Sequence, residues 1–451
     1  QAQVAAAERD RARTAQAEAE EAVTFLTNLF QNATPEEAKG DTLTAYDLVD
    51  RGRRRLSELS DQPALQARMF DVVGEVHEKL SDYETADSLL DRSIQLHQSL
   101  STPNPKRLGE YLSEQASVKW KLGRYAAADS LARQALRQMQ RADATETLEY
   151  AETLSIRANI ALSQQRLDTA DSLFQVTEEH YRSLVTDAGT GTEKNNERAA
   201  NLASVVHNRA SIHYYRGNND RAETLYRDAL ATYRETMGRT HPNVLTIHSA
   251  LGLVLQRRGE LKAAATHLDT AVTRGTRVLG PRHAQMAAYY NNLADVRKKQ
   301  ERYAAADSLY RLALAIDRAE RGPQHPYVAG DWQSIGELNR AWGRPERALE
   351  AFSQETALRR PKGPSVDLAW ALHNQGAVLT ELERYAAAED RLQEARTMHA
   401  QLDEHSSSLA ANLRTAFATL YADQGRSQEA QRWRKRAEHP DSLYSDGRPR
   451  N

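Results

Sequence analysis

Small and large apolar residues alternate along this chain at a long, regular interval. The phrase Gly-Arg-Tyr-Ala-Ala-Ala-Asp-Ser-Leu at Gly123–Leu131 has relatives throughout, and the last alanine of its triplet recurs as Ala86, Ala128, Ala170, Ala222, Ala264, Ala306, Ala348, Ala388 and Ala430. The steps between them are 42, 42, 52, 42, 42, 42, 40 and 42 residues. Twelve residues before each alanine stands a small residue: Gly74, Ala116, Ala158, Ala210, Gly252, Ala294, Gly336, Gly376 and Ala418. Four residues after it come Leu90, Ala132, Phe174, Tyr226, Leu268, Tyr310, Phe352 and Leu392, large in seven of these eight repeats. A small residue lets two helix backbones approach, and a large one four positions past a turn is a core knob at helical spacing. Five residues before the alanine, Gly123, Gly217, Gly259, Gly343 and Gly425 supply a helix-ending positive φ, while Ser81, Gln165, Glu301 and Glu383 fill that place elsewhere. Each repeat therefore reads as helix A, tight turn, helix B, and one hairpin buries its second face only against a neighbour. The pattern predicts an all-α fold, a right-handed α-solenoid of about nine helix-turn-helix repeats. Arg434 breaks the knob column, and Trp433 beside it is expected to cover the last core face.

The boundaries follow from the same register. Residues 1–62 form a helical leader, a charged helix over Gln1–Glu21 running on through Phe25–Phe30, then a polar break and a further helix at about Leu43–Leu59. Residues 63–186 hold repeats one to three, and 198–438 hold repeats four to nine. The long step places a surface loop at 187–197, and 439–451 is a polar tail. Because the chain opens inside a helical run, it reads as a fragment of a larger protein.

Composition narrows the function classes. Lys plus Arg total 60 against 62 for Asp plus Glu, a net charge of -2, so nothing calls for nucleic acid or a membrane surface as partner. Without cysteine there is no disulfide framework and no thiolate metal site. The longest apolar runs are too short to span a bilayer. His241, His283 and His325 recur one repeat apart, which separates them by a helix pair; they punctuate helices rather than share an ion. His77-Glu78 and Glu179-His180 lack the second histidine of a zincin, and Lys194 lacks the Gly-Lys-Ser/Thr ending of a phosphate loop. No catalytic, metal or cofactor site is expected, and the chain reads as a non-enzyme.

The small-residue, turn-alanine and aromatic spacing resembles the tetratricopeptide repeat. At 42 residues the unit resembles the kinesin light chain variety, and the linkers at Met237–Pro242, Leu279–His283 and Arg321–Pro326 agree. A second resemblance lies in the leader: Ala-Glu-Arg-Asp-Arg-Ala-Arg, Phe25-Leu26 with Leu29-Phe30, Pro35–Ala45, and Leu48–Gly52 are similar to the segment between kinase and repeats in bacterial receptor-like serine/threonine protein kinases. That resemblance implies a kinase domain and one membrane span upstream, with these residues as a sensory or docking region on the extracytoplasmic face. No Gly-rich nucleotide loop, His-Arg-Asp or Asp-Phe-Gly occurs here, so any kinase activity belongs to another domain.

In a superhelix of this kind the A helices line the concave side. Offsets of 15, 14, 11, 8 and 7 residues before the turn alanine place His207, Asn208, Ser211, Tyr214 and Tyr215 on that face in repeat four, then Ser249 and Arg257, then Asn291, Asn292, Asp295, Lys298 and Lys299. Gln333, Glu337, Arg340, His373 and Asn374 continue it. The kinesin light chain resemblance implies that Asn291-Asn292 faces a cargo groove, with Asn208 and Asn374 matching the second member. Amides offer donors and acceptors together, which suits the backbone of an extended peptide. The expected partner is a protein or peptide of mixed character; the alternative is a structural scaffold that stacks its repeats into a homo-oligomer or filament.

Overall fold

The computed structural model describes residues 50, 52–54, 56–186, 193–402 and 407–438. The chain divides into two compact units, Gln1–Thr236 and Met237–Asn451. Unit one holds the hairpins α1 (Pro63–Lys79) with α2 (Tyr83–Gln98), α3 (Pro105–Lys121) with α4 (Tyr125–Arg141), α5 (Leu148–Ser163) with α6 (Leu167–Thr186), and α7 (Glu193–Tyr215) with α8 (Asn219–Thr236). Unit two holds α9 (Pro242–Arg257) with α10 (Leu261–Val278), α11 (Ala284–Lys299) with α12 (Tyr303–Glu320), α13 (Pro326–Ala341) with α14 (Pro345–Arg359), α15 (Val366–Glu381) with α16 (Tyr385–Gln401), and α17 (Ser407–Asp423) with α18 (Ser427–Glu438). Among the described residues there is no strand, and no helix is long and apolar enough to cross a membrane.

The packing follows the periodic columns. All nine turn alanines are buried, and so are the knobs from Leu90 to Leu392. At the glycine positions the helices of a hairpin are nearly in contact: a Cβ on Gly336 would lie 2.5 Å from Cε1 of Phe352, and one on Gly252 2.4 Å from Cγ of Leu268. Every inter-helix turn passes through the left-handed region, at φ 73° for Gly123 and 60° for Glu301 alike. The recurring histidines serve as helix caps: Nδ1 of His241, His283 and His325 accepts the backbone N–H of Asn243, Gln285 and Tyr327, each at 3.2 Å. This leaves three orphan helix-start donors satisfied, with Pro242 and Pro326 at the first helical position.

Four pairs of successive A helices touch (α1 with α3 and α3 with α5, α9 with α11 and α15 with α17), and no two successive B helices come as close, so at these repeats the A layer is the tighter, inner one. The last repeat is closed as expected: Trp433 is buried and stacks on Phe417 at 4.4 Å.

Two expectations about boundaries change. Glu193–Glu197, read from the sequence as loop, opens α7, whose 23 residues exceed the 16 or 17 of most A helices. The surplus is used in part to extend helix A, and an ion network ties that helix back to its neighbour. Arg209 meets Asp171 at 3.1 Å and Glu178 at 2.6 Å. Before the first repeat, residues 52–54 are helical, then Leu56–Leu59 forms a short 3-10 turn that buries Leu56 against Leu65 and Met69. The rest of the leader, the segment 187–192 and the tail 439–451 lie outside the described residues.

Candidate functional site

In unit one the expected face of α7 divides. Asn208 is half-buried and donates from Nδ2 to Oδ1 of Asn159 on α5 at 3.2 Å. The two amides line a pocket of about 200 Å³ with Glu152, Ser155, Asn201 and Ser204. Burial pushes the Glu152 carboxyl up to about 7, and the Nδ2 of Asn201 approaches it at 3.4 Å. Tyr215 is 68% exposed, with Tyr214 edge-on to it at 5.8 Å. His207 and Ser211 instead turn toward helix B of their own hairpin. The His207 ring lies 5.6 Å from that of Tyr226, and Ser211 Oγ is 2.9 Å from the Tyr226 hydroxyl. Burial pushes the His207 imidazole down to about 4, so it is neutral at physiological pH.

In unit two the inner face is a chain of paired polar groups. Asn292 Nδ2 donates to the buried Ser249 at 2.9 Å, and Asn291 Nδ2 to Asp331 at 2.7 Å. Asp295 accepts from the Tyr310 hydroxyl, and Lys298 reaches Glu337 at 3.2 Å. Gln333 donates to the other oxygen of Glu337 at 3.1 Å, and Arg340 pairs with Glu381 at 2.6 Å. His373 is buried beside Asn374, with its imidazole held below the usual value by desolvation and its ring edge-on to Trp370. Arg257 and Lys299 are exposed at the C-terminal turns of their helices. The charges on this face largely neutralise one another.

Two clefts open on it. A pocket of about 180 Å³ is lined by Arg340, His373, Glu381, Asn412 and Thr415. A larger cleft of about 830 Å³ lies between α11 and α13, lined by Asn291, Asn292, Gln333 and Ser334 together with Tyr327, Gly330, Asp331, Asp317 and Arg321. The last four polar or aromatic members, Tyr327, Asp331, Asp317 and Arg321, were not among the expected site residues. Asp331 and Asp317 are 2% and 3% exposed, the one on helix A of repeat seven and the other near the end of the preceding helix B. Desolvation and the Asp317 charge push the Asp331 carboxyl up to about 7.

The repeat register does contain a signal for them. Seventeen residues before the turn alanine the other repeats carry Met69, Tyr111, Thr153, Val205, Ile247, Tyr289, Ala371 and Leu413, all buried. Eleven residues after it, in the first eight repeats, stand His97, Met139, Tyr181, Tyr233, Gly275, Arg359 and His399, with Asp317 the one acid; the ninth position, Asp441, lies outside the described residues. An acid facing an acid at two core positions is the departure that marks this cleft.

Comparison with known proteins agrees with the architecture. The tetratricopeptide repeat model matches residues 201–274, 246–319, 285–360 and 367–438, together a little over half of the chain. No curated protein sequence matches. Among solved structures, aspartyl phosphate phosphatase F from Bacillus subtilis superposes at a TM-score of 0.50 and 15% identity, over 87% of this chain and 97% of that one. BtubC (BKLC) from P. vanneervenii matches at 0.42 and 20% identity, over 63% of this chain and 94% of its own. The nearly identical repeats of a candidate kinesin light chain from Podosopora anserina match at 0.41 and 20%, over 46% and 98%. The chain belongs to the tetratricopeptide repeat family.

Proposed function

We propose that this chain is a protein-binding solenoid that holds an extended segment of a protein partner against its A helices, without chemistry of its own. The observation that carries this is the α11–α13 cleft of about 830 Å³, whose amides Asn291, Asn292 and Gln333 lie among paired charges on the inner helix layer. Amide groups match backbone N–H and C=O groups of an extended peptide, and the aromatic Tyr327 offers an anchor beside them. The test is partner capture by the full chain with Asn208, Asn292 and Asn374 changed to Ala. Loss of capture with unchanged helicity supports the reading, and unchanged capture overturns it.

We further infer that the chain serves as the sensory or docking region of a membrane-anchored bacterial serine/threonine kinase, on the extracytoplasmic face. Support comes from the leader, whose residues 7–52 resemble the segment that precedes the repeats in such kinases. The gene sequence upstream of Gln1 tests it: an intact kinase domain followed by one apolar span is expected, and a different domain there would refute it.

A further inference from the structure

The floor of the α11–α13 cleft is built as an acceptor site. Asp331 Oδ1 accepts a hydrogen bond from Asn291 Nδ2 at 2.7 Å, while among the described residues no donor meets the buried Asp331 Oδ2 and Asn291 Oδ1, the Asp317 carboxyl beside Asp331 being a second acid. Such groups lose their hydration on folding and gain nothing in return, so they are rare unless something else completes them. Eight of nine repeats avoid the acid at this core position, which removes repeat geometry as its reason. The charges in the cleft are also uneven. Arg321 meets Asp317 with its Nε at 3.0 Å from Oδ1, and among the described residues no cation pairs with Asp331. The same Arg321 lies with its guanidinium carbon 4.6 Å over the Tyr327 ring, and Tyr327 is 56% exposed. This corner of the molecule thus already seats one guanidinium between a carboxylate and an aromatic face.

We propose that the cleft takes a basic side chain of the protein partner, an arginine or lysine, with Asp331 as its anchor and Tyr327 as its aromatic wall. The inference rests on the reading of the A-helix face as the partner-binding surface, and it deepens that reading by naming the chemistry recognised. Asn291 is half-buried and lies on the cleft wall. Turning its amide aside opens the Asp331 carboxylate to the cleft and presents Asn291 Oδ1 to the same donor. One cation then satisfies both buried acceptors and balances the second acid, a charge-assisted arrangement stronger than bonds between neutral groups.

The experiment uses the full chain labelled with 15N at asparagine and two probes, Nα-acetyl-arginine amide and its uncharged isostere Nα-acetyl-citrulline amide. The side-chain amide resonance of Asn291 is expected to shift saturably with the arginine probe, and about tenfold more weakly with citrulline, the discrimination of one hydrogen bond to a charged group. Asp331→Ile, which copies Ile247 of repeat five, and the near-isosteric Asp331→Asn should both abolish the preference. Two variants are used so that a folding defect in one leaves the other decisive. Equal responses to both probes, a preference surviving both substitutions, or no response to arginine each overturn the proposal. Partner capture with the asparagine-to-alanine variants does not depend on charge, so it separates failure of this proposal from failure of the binding surface itself.

Discussion

Replacing Asp331 by isoleucine should make unit two more stable, and by an amount that depends on pH. Asp331 is 2% exposed, and its carboxyl is pushed up to about 7. The unfolded chain has the ordinary value of 3.8, so the native state favours the protonated form. The stability that goes with this proton is fully present below pH 3.8 and is lost as the pH rises through 7. At roughly 1.4 kcal/mol per unit, the linkage cost is about 1.7 kcal/mol at pH 5 and about 4 kcal/mol at pH 8. The isoleucine removes that cost, adds about 1.5 kcal/mol of apolar burial, and leaves the Asn291 amide unpaired at a penalty of about 1 kcal/mol. Urea unfolding followed by tryptophan fluorescence reads the difference, because Trp332 adjoins the site in the cluster formed by Tyr310, Val328 and Ile335. Stabilisation about 2.5 kcal/mol larger at pH 8 than at pH 5 is predicted. The buried Glu355, also raised to about 7, contributes equally to both proteins and cancels. A substitution effect that is the same at both pH values, or destabilising at pH 8, would refute the reasoning.

Three further outcomes follow. Gly336→Ala forces a Cβ against the buried Phe352 ring and should cost about 1–3 kcal/mol by overpacking, whereas in a Phe352→Ala background the same change should stabilise through helix propensity; denaturation of the four proteins of the cycle tests the reversal of sign. Arg209→Ala removes one of the two arginines that meet the buried Glu178, which keeps Arg182, and the half-buried Asp171, which keeps Arg216, and should lower the stability of unit one by about 1–2 kcal/mol, measured by thermal unfolding; a loss under about 0.5 kcal/mol would mean that the network is dispensable. Sedimentation at two concentrations should give a monomer, since Trp433 covers the core face of the last repeat; a concentration-dependent mass would favour the stacking scaffold.

How far the sequence could be read depended on the physical demand at each position. The turn alanines, their small partners and the knobs were legible because each position tolerates one size class, and Trp433 followed from the need to close the last core. The left-handed turn residues were legible even where Glu301 or Gln165 replaces glycine, since the register places them. Helix at Glu193–Glu197 was hidden by a glycine-rich neighbourhood that reads as loop. On the inner face, an offset from the turn sets the direction of a side chain but not what meets it: His207 and Ser211 are held by Tyr226, and Asp295 by the Tyr310 hydroxyl. Asp331 and Asp317 were overlooked because they occupy core positions rather than groove positions. They stand out only when the buried columns of all repeats are compared for polarity.

The central claim, that the A-helix layer holds the partner, is tested most directly by placing a photo-crosslinking amino acid at one position at a time in the full chain. Crosslinks to the captured partner are predicted from Gln333 and Asn374 on the inner layer, and none from Ser308 and Ser353, which are exposed on helices α12 and α14 of the outer layer. Crosslinks from Ser308 and Ser353 but not from Gln333 and Asn374 would contradict it.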